Sequence, residues 1–153
     1  GKWYRFGEPF ELKPTPCNAR KDRATTKADM LALQKQGFNT LRPSHPQPAW
    51  YYELADQLGI YVIDCAAISA PDNRDDSRVG GSAANDPELV DEFVARVRRM
   101  YYRSRNHTSV IGFSLGNPSG NGYAMYKAYE WFKSLEEKRP IFYEDARGEW
   151  NSD

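Results

Sequence analysis

Trp50-Tyr51-Tyr52-Glu53-Leu54-Ala55-Asp56-Gln57-Leu58-Gly59-Ile60-Tyr61-Val62-Ile63-Asp64 decides the fold of this chain. Trp50 to Leu58 reads as a helix, and Gly59 stops it in the left-handed conformation that closes helices. Ile60 to Asp64 then reads as a strand, continuous and rich in β-branched residues. One helix leading directly into one strand is the repeating step of an α/β sheet.

Working outward, the same step recurs. Upstream, Phe10-Glu11-Leu12-Lys13 reads as a short first strand, ended by Pro14 and Pro16. Thr25 and Thr26 offer N-caps, and Asp29 three residues after Thr26 resembles a capping box. Ala28, Leu31, Ala32 and Lys35 follow at helical spacing, Gly37 caps that helix, and Phe38 to Arg42 reads as a buried strand. Pro46 and Pro48 mark an extended loop. Downstream, a polar loop runs from Ala66 to about Asn85, long enough to expect function or disorder. Asp86-Pro87-Glu88 starts a helix with a cap, a proline and an acid in the first turn. Leu89, Phe93, Val97, Met100 and Tyr101 give it one apolar face. Ser109 to Leu115 is a fourth strand, Gly116 to Gly122 a glycine-rich turn, and Tyr123 to Leu135 a helix. Ile141 to Glu144 is a fifth strand, and the rest is a polar tail. Five strands separated by helices imply parallel pairing with right-handed crossovers. Periodicity does not separate an open doubly wound sheet from part of a closed barrel. In both, active groups sit after the C-terminal ends of the strands.

The 153 residues suit a single domain, and 21 basic against 21 acidic side chains give no reason to expect nucleic acid or a membrane as partner. Cys17 and Cys65 form neither a disulfide framework nor a zinc spacing. Gly1 stands where a Met would begin an unprocessed chain, which leaves localisation open and is compatible with an extracytoplasmic setting after removal of a leader.

Several stretches resemble one family. Arg42-Pro43-Ser44-His45-Pro46, with the helix and strand after it, is similar to the R-x-S-H-Y-P segment and following helix and strand of family 2 glycoside hydrolases of the β-galactosidase and β-glucuronidase type. Arg103-Ser104-Arg105-Asn106-His107-Thr108-Ser109-Val110-Ile111 resembles their R-D-R-N-H-P-S-V-I. Phe113-Ser114-Leu115-Gly116-Asn117-Pro118-Ser119-Gly120 resembles their W-S-L-G-N-E-S-G, and Arg139-Pro140 also fits. The resemblance implies a (β/α)8 barrel and retaining hydrolysis of β-glycosides. Five strands out of eight make residues 1–153 a single partial TIM-barrel domain.

The departures fall on the chemistry. Retaining glycosidases work with two carboxyl groups about 5–5.5 Å apart. The resemblance puts the acid/base at Pro118, which has no proton to give, and the nucleophile on a strand after Asp153. Where the family shows D-E-A-N-I-E-x-H, this chain has Asp64-Cys65-Ala66-Ala67-Ile68-Ser69-Ala70-Pro71. In metal-dependent members these last positions, with the acid/base Glu, hold magnesium. Ser69, Pro71 and Pro118 lack the carboxylate oxygens a hard cation wants, so no cofactor is expected. Pro14-Thr15-Pro16-Cys17-Asn18 likewise departs from the family's G-V-N-R-H.

The resemblance retains Arg42, Ser44, His45 and Asn117, of which Arg42, His45 and Asn117 match positions that line the sugar site. With Glu144, the best surviving carboxylate, Arg42, His45 and Asn117 are the substrate-binding candidates; no catalytic or metal residue is expected. Each has a plainer reading. His45 is then a loop histidine, Asn117 a turn residue, Arg42 a buried ion-pair partner of Asp64 or Glu144, and Glu144 a structural acid. Asp72, Asp75 and Asp76 lack EF-hand spacing and read as solvated loop acids. Cys65 reads as a small buried hydrophobe. Trp3, Trp50, Trp131 and Trp150 are rings able to stack on sugars, with Trp50 and Trp131 better placed as core. The expectation is a carbohydrate-related domain that is inactive on its own. The alternatives are a piece of an active β-glycosidase completed by another chain, and a self-assembling scaffold. An open parallel sheet has unpaired edges, so a homo-oligomer or a capping partner is expected to cover them.

Overall fold

The computed structural model describes residues 3–5 and 8–153, with the side chains of residues 3–5 left aside. Two short strands, β1 (Trp3–Arg5) and β2 (Glu8–Phe10), pair antiparallel. The main sheet holds β3 (Pro14–Pro16), β4 (Thr40–Arg42), β5 (Tyr61–Cys65), β6 (Val110–Ser114) and β7 (Ile141–Phe142), all parallel, in the order β3-β4-β5-β6-β7. Between them run α1 (Arg23–Lys35), α2 (Ala49–Leu58), α3 (Val90–Ser104) and α4 (Tyr123–Lys133). Strand order follows chain order without reversal. With crossovers of one hand, that places every helix on the same side of the sheet. A doubly wound sheet would reverse; this one is part of a barrel.

The first strand of the sheet is a correction. Phe10 belongs to β2, its ring 5.5 Å from that of Tyr61. The strand that joins the sheet is the Pro-Thr-Pro segment expected to end it. Proline is tolerated on an edge strand. Residues 14 and 16 direct their nitrogens the same way, outward from β4, while Thr15 between them faces the neighbour.

The start of α1 is a second correction. Its N-cap is Asp22, whose Oδ1 accepts from the Thr25 backbone N–H at 2.8 Å. Thr25 also donates its hydroxyl to Asp22 Oδ2, at 2.9 Å. Thr26 is buried, its hydroxyl donating to the Asp22 carbonyl and accepting from the Arg20 amide. The Thr26–Asp29 box is therefore not used. Gly59 caps α2 at φ 67°, its N–H bonded to Ala55. Asp86 caps the Pro87–Leu89 turn ahead of α3, its Oδ1 2.9 Å from the Glu88 amide.

The core lies between sheet and helices. Leu41, Val62, Phe113 and Ile141 from the strands meet Met30, Tyr51, Leu54, Val97, Met100, Met125 and Phe132 from the helices, all essentially inaccessible. Each such side chain contributes about 1.5–3 kcal/mol. Trp50 and Trp131 pack against this cluster.

The segment after β7 adds a finding that its polarity did not announce. It is polar, yet it docks. Asp145 accepts from the amides of Ser119 and Gly120 at 3.0 and 2.9 Å. Asn151, wholly buried, pairs its amide with that of Asn121 in both directions, at 3.1 and 2.8 Å. Asp153 accepts from Ile141 N at 3.0 Å and Lys133 Nζ at 2.8 Å. The loop from Ala66 is likewise fixed, through Ser119 Oγ to Ala70 N at 2.8 Å and Asn117 N to the Ile68 carbonyl at 2.8 Å.

Candidate functional site

A cleft of about 310 Å³ opens at the C-terminal ends of the sheet strands, on the side away from the helices. Its polar lining is Thr15 from β3, Arg42 from β4, Ser44 just after it, Cys65 from β5, Ser114 at the end of β6, Asn117 in the turn after it, and Glu144 after β7. The register explains the grouping. Cys65 and Ser114 are paired across β5 and β6, and Asp64 and Phe113 are paired one residue earlier. Strand residues alternate faces, so Cys65 and Ser114 meet the cleft while Asp64 and Phe113 meet the helices.

Three of the four candidates come together here. Arg42 Nη2 lies 2.5 Å from Glu144 Oε1. The side chains are 40 % and 65 % exposed, so this pair stands in the mouth of the cleft and is not buried as expected. Asn117 donates its side-chain amide to the Ser44 carbonyl, closing the β6 loop onto the β4 loop. His45 stands outside the lining, its Nδ1 3.0 Å from the Ser44 hydroxyl. Asn18 also reaches this loop, accepting from the Ser44 amide at 2.9 Å and donating to its hydroxyl at 3.0 Å.

Cys65 is buried with its sulfur 3.6 Å from the Ser44 carbonyl. Burial pushes its thiol up to about 11, over the opposing bond with Ser114. It is therefore a neutral thiol at neutral pH and a poor nucleophile. Ser114 donates to the Gly116 carbonyl at 3.1 Å.

Asp64 does not pair with Arg42. Its carboxylate is fully buried on the helix side and accepts from Tyr52 OH at 2.6 Å, Ser104 Oγ at 2.5 Å, Arg103 Nη2 at 2.6 Å and Cys65 N at 2.9 Å. A second link joins His107 Nδ1 to Asp56 at 2.7 Å; Asp56 also accepts from Ser109 N at 2.7 Å. Arg103, Ser104, His107 and Ser109 all lie in the Arg103–Ile111 stretch, so this stretch ties α3 to α2 and β5. Sequence reading gave these residues no structural role; their polar types at the end of an apolar helix were the available signal.

The positions implied for magnesium do not fit it. Ser69, Pro71 and Pro118 bring one hydroxyl and no carboxylate, and among the described residues no three His, Cys, Asp or Glu side chains group as a metal site. Asp76 is engaged by Arg78 at 2.5 Å and Asp75 by Arg147 at 2.8 Å. Trp3 has its side chain outside the described residues.

Comparison with known proteins agrees with this architecture. The model of the TIM barrel domain of glycosyl hydrolases family 2 matches residues 20–152. A β-galactosidase of Enterobacter cloacae is 39 % identical over 124 residues, which are 80 % of this chain and 12 % of that protein. One of Erwinia tasmaniensis is 40 % identical over 118 residues, 76 % of this chain and 11 % of that protein. The chain thus spans about an eighth of the length of these relatives. Among solved structures, a Ruminococcus gnavus β-glucuronidase in complex with C6-substituted uronic isofagomine aligns at TM-score 0.62 and 26 % identity, over 89 % of this chain and 25 % of that one. A β-glucuronidase from an uncultured Clostridium sp. aligns at TM-score 0.72 and 22 % identity, over 90 % and 26 %, and shows the shared fold. The chain belongs to glycoside hydrolase family 2, and its fold is part of that family's TIM barrel.

Proposed function

We propose that this domain binds carbohydrate in the cleft at the C-terminal end of its sheet and is catalytically silent on its own. The observation that carries this is Pro118. The resemblance matches it to the family's acid/base position, in the turn after β6, and Glu144, the carboxylate that lines the cleft, is held by Arg42 at 2.5 Å. A single carboxylate cannot both protonate a leaving group and attack the anomeric carbon. Arg42, Asn117 and Glu144 supply donors and acceptors for sugar hydroxyls, and His45 stands at the rim. Residues 1–153 act as one partial-barrel unit. Its edge strands β3 and β7 each pair on one side only, and a second copy or a capping partner covers them.

The test is hydrolysis of aryl β-galactoside, β-glucuronide, β-mannoside and β-glucoside by the purified chain, beside titration of the free sugars. The expected result is no turnover above buffer, with binding weakened by Arg42→Met and stability changed by less than about 1 kcal/mol, since the pair is exposed. Turnover lost on Glu144→Gln overturns the reading.

A further inference from the structure

Trp150 leaves 54 % of its surface in water although a large aromatic side chain gains from burial. It is not loose. Its ring stacks on Tyr126 at 5.1 Å and 23°, and the ring of Tyr129 meets it edge-on at 5.6 Å and 78°. A rigid aromatic face turned to solvent loses little entropy when a ligand covers it.

Tyr126, on which Trp150 stacks, also walls a separate pocket of about 260 Å³ with Arg74, Asp75, Asn121, Arg147 and Glu149; Trp150 stands next to that wall and is not part of it. The wall residues come from the loops after β5, β6 and β7 and from α4, so the pocket opens at the same end of the sheet as the cleft, where parallel α/β folds bind ligands. Arg147 and Asp75 are held together at 2.8 Å, presenting donors and acceptors side by side. The Glu149 carboxylate has no ion pair or hydrogen bond among the described residues. Counting Asp145 with Arg74, Arg147, Asp75 and Glu149, the pocket carries two positive and three negative groups.

We propose that Trp150, Tyr126 and this pocket form a second saccharide site, for a neutral pyranose. One ring of the saccharide sits in the pocket with its hydroxyls on Arg147, Asp75 and Glu149, and the ring joined to it lies on the exposed indole. The excess of negative charge disfavours uronic acids and phosphorylated sugars. The volume is just below the ~300 Å³ at which drug-sized pockets begin and suits a single ring.

The test titrates lactose and cellobiose into the full chain, followed by tryptophan fluorescence and backbone amide shifts. Saturable binding is expected, with shifts at residues 120–121 and 147–151. Trp150→Ala should lower affinity about tenfold, and Arg147→Ala should lower it as well, both read from the shifts at residues 120–121 and 147–151. Failure of both the Trp150 and Arg147 variants to weaken binding, shifts confined to Arg42 and Asn117, or no saturable binding at millimolar sugar would each overturn the proposal. The cleft is read from the shifts at Arg42 and Asn117 and this site from those at residues 120–121 and 147–151, so the two sites fail separately.

Discussion

Arg103, on the last turn of α3, reaches through the helix layer and donates to Asp64 on β5 at 2.6 Å. The carboxylate it meets has no exposed surface, while Arg103 itself is about one-third exposed. A buried charge that loses one partner is left uncompensated, at a cost of about 3–5 kcal/mol. Arg103→Met should therefore lower urea stability by about 3 kcal/mol. Replacing Asp64 by Asn keeps the shape and removes the charge, so it should cost less than Arg103→Met. Equal losses for the two would mean the charge is not what matters.

Gly120 lies at φ +73°, and a Cβ there would sit 1.9 Å from the Arg74 carbonyl oxygen. Backbone strain alone costs about 1–3 kcal/mol for a residue with a side chain. The clash adds to it, because Arg74 would have to move away. Gly120→Ala should lower the urea midpoint and disturb the Tyr143 hydroxyl, which donates to the Gly120 carbonyl at 2.6 Å. A variant as stable as the parent would show that this loop is not held as described.

Cys65 should resist alkylation. Its pKa, near 8.5 in an unfolded chain, is raised to about 11 by burial. The folded state thus holds the proton more tightly, and this contribution is complete below the unfolded value and lost as pH rises through about 11. Iodoacetamide at pH 8 should label Cys65 only on unfolding, read by mass spectrometry with and without urea. Rapid labelling of the folded chain would contradict the burial.

Glu137 is pulled down to about 2, chiefly by its bond with the Arg139 guanidinium, at 2.7 Å. Its unfolded pKa is about 4.3. The stabilisation is present above that value and lost as pH falls toward about 2. Glu137→Gln should flatten the decline in urea midpoint across this window while leaving the alkaline side unchanged. An identical acid profile in the variant would assign the decline elsewhere.

The sheet was legible because its signals are local. Gly59 and the β-branched run after it need no tertiary context. The edge strand was not, because Pro14 and Pro16 read as strand breakers unless it is known that their nitrogens face no neighbour. The pairing of Arg42 with Glu144 was among the expected options, while Asp64 went to Arg103. Which face each residue points to depends on register, and the shift between Val62 and Ile63 against β6 leaves no mark in the sequence. Arg42 and Asn117 could be named because they match the family's motifs, and Glu144 from its place at a strand end. The closure of Asn117 onto Ser44 spans 73 residues and could not.

The docked tail bears on how the chain is made. Asp145, Asn151 and Asp153 complete bonds to segments 20 to 30 residues upstream, at Ser119, Gly120, Asn121 and Lys133. During synthesis those partners emerge first and wait with open amides. The β6 turn and the end of α4 therefore settle only after residues 145–153 clear the ribosome, and a chain stalled before Asp145 would display β7 and that turn to chaperones and proteases.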